Sequence, residues 1–172
     1  MRLIVLLICL ACYSCGNTYY IVRHAEKAPV EAGASAMMAS DPPLSPAGEQ
    51  RAIELRQTLR GERIEHIFST NFKRTLSTAQ PLNETRGATA IAIYSSKKDS
   101  MDLFIEKLKA IKKGNVLVVG HSNTIDDIAN KLCGKTVVPG DLKETQYDNL
   151  FVVKRKGKKF VFTNKKYGAP TE

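Results

Sequence analysis

Tyr19-Tyr20-Ile21-Val22-Arg23-His24-Ala25-Glu26-Lys27 is the stretch whose reading decides the fold of this chain. An apolar run of aromatic and β-branched residues stops abruptly at Arg23-His24, with a glutamate and a lysine close behind. That pattern predicts a buried strand whose last residues emerge into a polar site. A histidine at such a place has two readings. It is an ordinary strand-end histidine satisfied by one hydrogen bond, or it is a nucleophile or base held at the carboxyl edge of a parallel sheet, where open α/β sheets bind ligands. The other strand ends decide between them.

Downstream, residues 28–44 are rich in Ala, Ser, Met and Pro and long enough to form a flap over the strand end. They run into Ser45-Pro46, a good N-cap followed by a residue suited to the first helical position, so a helix is expected over 47–59 with Ala52, Leu55 and Leu59 inward. Residues 64–69 read as a second strand with the polar exit Ser69-Thr70-Asn71, followed by a helix over 72–83. A third strand is expected over 89–94 and an amphipathic helix over 101–112. The clearest strand, 115–120, runs into His121-Ser122-Asn123-Thr124 and a helix over 125–132. Residues 150–153 and 159–162 flank Lys156-Gly157 as a terminal hairpin. This alternation predicts an α/β three-layer sandwich, a mainly parallel sheet with helices on both faces, right-handed crossovers and a C-terminal hairpin.

Upstream, Met1-Arg2 precede an apolar run over residues 3–11, shorter than the roughly 20 residues a membrane-spanning helix needs, and it reads as a secretory leader. It ends in Cys12-Tyr13-Ser14-Cys15-Gly16-Asn17, which resembles the lipobox of bacterial lipoproteins. Cys15, after Ser14, is the preferred lipid acceptor and Cys12, after Ala11, the competitor; plain secretion is the alternative. The expected organisation is a leader over 1–14, a tether over 15–18, one domain over 19–166 and a tail over 167–172. The expected location is the bacterial cell envelope, on the periplasmic or cell-surface side, with the membrane met through that lipid. Of four cysteines only Cys133 lies in the body of the chain, so no internal disulfide framework is possible, and Cys133 reads as a small core residue at a helix end.

The net charge of +9 permits nucleic acid, an anionic membrane surface or an anionic small substrate. Its distribution argues against the first. The basic residues of 154–159 and 165–166 flank a hairpin turn with no aromatic stacking platform beside them.

Three strand exits then deliver Arg23-His24, Ser69 to Arg74, and His121-Ser122 to one edge of the sheet. Two arginines, two histidines and a helix amino terminus would repel one another without an anion among them. A tetrahedral phosphoryl group fits that demand, because guanidinium forks bind its oxygens in pairs and backbone N–H groups add further donors. A metal held by His24, His121 and Glu26 would be repelled by the neighbouring arginines, so neither metal nor other cofactor is expected.

These segments resemble the histidine phosphatase superfamily, also called phosphoglycerate mutase-like. The resemblance rests on Arg23-His24-Ala25-Glu26-Lys27, Leu44-Ser45-Pro46-Ala47-Gly48-Glu49-Gln50-Arg51-Ala52, the run Ser69 through Ala79, and Val118-Val119-Gly120-His121-Ser122-Asn123-Thr124, four elements in order. It implies that His24 is phosphorylated on nitrogen and that Arg23, Arg74 and His121 form the phosphate pocket; Ser122, at the same strand exit, is expected to bind phosphate beside them. The implied activity is metal-independent hydrolysis of phosphomonoesters on a phosphorylated small molecule. A non-catalytic phosphate-ligand binding or scaffold protein of the same fold is the alternative, and a phosphohistidine protein phosphatase or a mutase ranks lower. Mutases carry a glutamate after the third strand, where this chain has Tyr94-Ser95-Ser96-Lys97-Lys98-Asp99. The proton donor to the leaving group is therefore open among Asp99, Glu26 and Asp102, each of which also reads as an ordinary helix-start or surface carboxylate.

Overall fold

The computed structural model describes residues 16–87 and 90–171. The leader, the candidate lipid acceptors Cys12 and Cys15, and Thr89 of the expected third strand lie outside the described residues. Six strands form one sheet: β1 (Thr18–Arg23), β2 (Ile64–Ser69), β3 (Ala92–Ile93), β4 (Asn115–Gly120), β5 (Asn149–Lys156) and β6 (Lys159–Lys166). Their order is β3-β2-β4-β1-β5-β6. The first four are parallel and β5 and β6 close the sheet as an antiparallel hairpin. The mainly parallel sheet with its terminal hairpin is thus the observed architecture.

The helices are α1 (Ala36–Ser40), α2 (Pro46–Thr58), α3 (Lys73–Glu84), α4 (Lys98–Ala110) and α5 (Ile125–Cys133). Strand residues of alternate parity feed two separate apolar layers. Tyr19, Ile21, Val116 and Val118 meet Met101, Phe104 and Leu108 of α4 and Ile125 and Ile128 of α5. Tyr20, Val22, Leu117 and Val119 meet Leu55 of α2 and Ala79 and Leu82 of α3. Each such side chain contributes about 1.5–3 kcal/mol when fully buried, so register is strongly held. A slip of one residue between β1 and β4 would exchange the two layers. In the observed register Tyr19 faces Val116 and Arg23 faces Gly120.

Three differences from the sequence reading have local causes. The flap over 28–44 contains the short helix α1, begun by the Ser35 cap, whose side chain accepts from the Met38 N–H. β3 is only two residues long; it lies at the edge with β2 as its sole partner, and Ile93 is half exposed. Residues 167–171, read as a tail, fold back onto the domain. Tyr167 is buried in the layer beneath α2 and α3, and the Thr171 hydroxyl donates to Asp148 at 2.8 Å. At the opposite edge β6 carries Lys159, Lys165 and Lys166 on an exposed strand, a charge pattern that blocks further strand addition.

Two glycines permit backbone contacts at the strand exits. A Cβ on Gly48, in the first turn of α2, would overlap the Glu26 carbonyl just beyond β1. A Cβ on Gly120, the last residue of β4, would sit 2.7 Å from the Tyr94 hydroxyl oxygen. Among the described residues no helix is long and apolar enough to cross a membrane.

Candidate active site

Parallel β1 and β4 end side by side, and their next residues are His24 and His121. The His24 N–H donates to the Gly120 carbonyl at 2.9 Å, and the two imidazole rings lie 5.5 Å apart, edge to face. His24 Nδ1 is 2.7 Å from the Ala25 carbonyl oxygen, which can only accept. The proton therefore sits on Nδ1 and the lone pair on Nε2. Burial lowers the His24 pKa to about 3, with the Arg23, Arg74 and His121 charges adding to it against the Ala25 hydrogen bond. His121 falls to about 4 through burial and then Arg74 and Arg23, with Asp41 opposing. Both rings are neutral at pH 7.

Arg23, 1% exposed, leaves β1 towards the segment between α5 and β5. Its Nη1 donates to the Lys143 and Glu144 carbonyls, each at 2.9 Å, and Nη2 donates to Glu144 Oε2 at 2.9 Å. The guanidinium carbon lies 4.1 Å from the centre of the Tyr147 ring. Nε is buried without a partner. Arg74 comes from the first turn of α3, with its guanidinium 4.4 Å over the Phe72 ring and Nη1 3.3 Å from Asp41 of the flap. Asp41 also accepts the Lys73 backbone N–H at 3.0 Å, supplying the cap that Phe72 cannot. Burial lowers the Arg74 pKa, with Asp41 opposing and Arg23 adding. The Thr78 hydroxyl accepts the Ala25 N–H at 2.9 Å and donates to the Arg74 carbonyl at 2.7 Å, fixing α3 to the exit of β1.

A cleft of about 490 Å³ is lined by Arg23, His24, Lys27, Arg74, His121 and Ser122, among others. The structure thus brings together the five residues expected to bind phosphate or react. His121 Nε2 is 2.9 Å from the Thr70 hydroxyl, itself 3.0 Å from Thr75. The amino end of α5 does not offer free positive potential as the sequence reading expected, because Asp126 and Asp127 occupy its first turn.

None of the three carboxylates considered as proton donors lines the cleft. Glu26 is gripped by Arg51 of α2, whose Nε lies 2.8 and 2.9 Å from its two oxygens. Arg51 is itself buried and donates to the Tyr167 carbonyl at 3.1 Å, so this pair joins α2, the exit of β1 and the chain end. Asp102 faces solvent on α4 and pairs with Lys131 at 2.7 Å. Asp99 is an exposed residue of the first turn of α4. The carboxylates at the cleft are Asp141 and Glu144, with Asp41 behind Arg74. Sequence reasoning missed these and Tyr147. The available signal was the length of the connection between α5 and β5, residues 134–148, unusually long for a loop with no element of its own.

Residues 19–96 match the family model of the histidine phosphatase superfamily (branch 1). Over those residues the chain is similar to that superfamily. No curated protein sequence matches it. Among solved structures, a protein histidine phosphatase SixA complexed with tungstate superposes with a TM-score of 0.67 at 17% identity, over 87% of this chain and 96% of that one. A mutant phosphoserine phosphatase from Entamoeba histolytica in complex with phosphoserine gives 0.64 at 14% identity, over 89% and 97%. At such identities these likenesses establish a shared fold.

The two depressed imidazoles make stability depend on pH. Between their ordinary pKa of about 6.5 and their folded values near 3 and 4, the unfolded chain binds more protons, so stability falls on acidification through that window. Between pH 7 and 5 the parent is expected to lose on the order of 2 kcal/mol more than a His24→Asn/His121→Asn double variant, read from urea midpoints. Equal losses in the two proteins would mean the rings are not buried in neutral form.

Proposed function

We propose that this protein is a phosphatase that hydrolyses phosphomonoesters through a phosphohistidine on Nε2 of His24. The observation that carries the reading is the 2.7 Å hydrogen bond from Nδ1 to the Ala25 carbonyl, which leaves the Nε2 lone pair as the reactive nitrogen among Arg23, Arg74 and His121. The lone pair attacks phosphorus as the ester P–O bond breaks and the departing oxygen takes a proton. Water then attacks the same phosphorus, the P–N bond breaks, and inorganic phosphate leaves with His24 restored. Charge accumulates on the phosphoryl oxygens, where guanidinium groups fixed in advance stabilise it most. Those groups supply the positive charge a metal would otherwise bring, so turnover is proposed to be metal-independent. The family match supports phosphoryl chemistry, and the tungstate and phosphoserine held by the two fold relatives are tetrahedral oxyanions of the proposed kind.

One observation favours a second reading, removal of phosphate from protein histidine. The Glu144 carboxyl, raised by burial but lowered further by Arg23 and Lys27, is held ionised and cannot readily protonate an alkoxide. A leaving imidazole or aryl oxide needs that help less. The preferred reading also carries an exported, lipid-anchored location through Cys15, expected to be lost from the membrane fraction in Cys15→Ser and retained if Cys12 is the acceptor.

The deciding experiment is rapid quenching with a radiolabelled phosphomonoester. The parent is expected to trap a label stable in base and labile in acid, and His24→Ala none. Equal labelling of both proteins would remove His24 as nucleophile; label on neither, with tight phosphate binding, would favour a binding protein.

A further inference from the structure

The Glu144 carboxylate lies on the cationic group assigned to phosphate. Its Oε2 is 2.9 Å from Arg23 Nη2 and 3.6 Å from Lys27 Nζ, and its Oε1 accepts from the Ser122 hydroxyl at 3.5 Å. All four residues line the cleft with His24. The Arg23 guanidinium has no spare donor except one. Nη1 is spent on two backbone carbonyls, Nη2 serves Glu144 with the Tyr147 hydroxyl oxygen farther off at 3.4 Å, and the buried Nε–H has no acceptor. Arginine binds oxyanions best through two parallel N–H groups, and on this side chain the pair containing the unsatisfied donor is Nε with Nη2.

We propose that Glu144 is a specificity-determining residue, a built-in occupant of the Arg23 fork that a phosphoryl group must displace. The inference rests on the reading of this cleft as a phosphate site. Two anions cannot share Nη2 without strong repulsion, and the two partners differ in mobility. The Arg23 side chain is 2% exposed and clamped, whereas the Glu144 side chain is 70% exposed and swings out at little cost. Its competition weakens every dianion that enters, including the product, and so speeds release of inorganic phosphate. A substrate phosphoryl group recovers the difference only if the rest of the molecule also binds, which places selection on the leaving group.

The test is calorimetric titration of inorganic phosphate and of sulfate into the parent, Glu144→Gln, Glu144→Asp and Arg74→Ala at pH 7. Glu144→Gln is expected to bind both anions about tenfold more tightly than the parent, with Glu144→Asp between them. A gain in affinity cannot arise from structural damage. Unchanged or weaker binding by Glu144→Gln, in a parent that binds phosphate and an Arg74→Ala that does not, would overturn the role of Glu144 and leave the phosphate site standing. Equal binding by the parent and Arg74→Ala would instead overturn the site itself.

Discussion

The immobilised guanidinium of Arg23 is the constraint on which the rest of this site depends. A cation 1% exposed at the end of a central strand is tolerable only when its donors are met, and two backbone carbonyls, a carboxylate and the Tyr147 hydroxyl from the 134–148 segment meet all but one. The Tyr147 ring covers its face. What remains is a rigid, dehydrated positive group with a single N–H unclaimed. Leaving such a donor unmet costs about 1–3 kcal/mol, a cost the proposed oxyanion would remove.

The sheet register converts that local constraint into a convergence of the proposed reacting groups. Pairing of Arg23 with Gly120 puts the residues just beyond, His24 and His121, on the same edge, and the His24 N–H bond to the Gly120 carbonyl holds them there. β2 delivers Thr70 to His121 and sends α3 off with Arg74 in its first turn. Each layer of the sandwich contributes one anchor, Arg51 with Glu26 on the α2 side and the 143–147 segment on the α5 side. The positive charges can converge because each arginine also has a carboxylate neighbour, Glu144 for Arg23 and Asp41 for Arg74. Burial keeps both imidazoles uncharged, so the histidines add no further repulsion at neutral pH.

Much of this was readable from the chain. Strand exits ending in Arg23-His24, Ser69-Thr70-Asn71 and Gly120-His121 follow from apolar runs that stop abruptly, and parallel topology brings such exits together whatever their separation. The carboxylates were not readable. Asp41, Asp141 and Glu144 sit in segments without periodicity, where nothing in the residue order says which side chain turns inward. Glu26 looked available because it stands two residues from His24, but the buried partner that claims it, Arg51, lies a full helix away in sequence. The third strand was overextended because an edge strand has one partner and its apolar run overstates its pairing.

The most direct measurement is a crystal structure with vanadate, which adopts the trigonal-bipyramidal geometry of phosphoryl transfer. The account predicts vanadium bonded to His24 Nε2, with oxygens on Arg23 Nε and Nη2 and on the Arg74 guanidinium, and the Glu144 carboxylate turned away from Arg23. Vanadate bound elsewhere, or in this cleft with Arg23 Nε still unsatisfied and Glu144 in place, would contradict it.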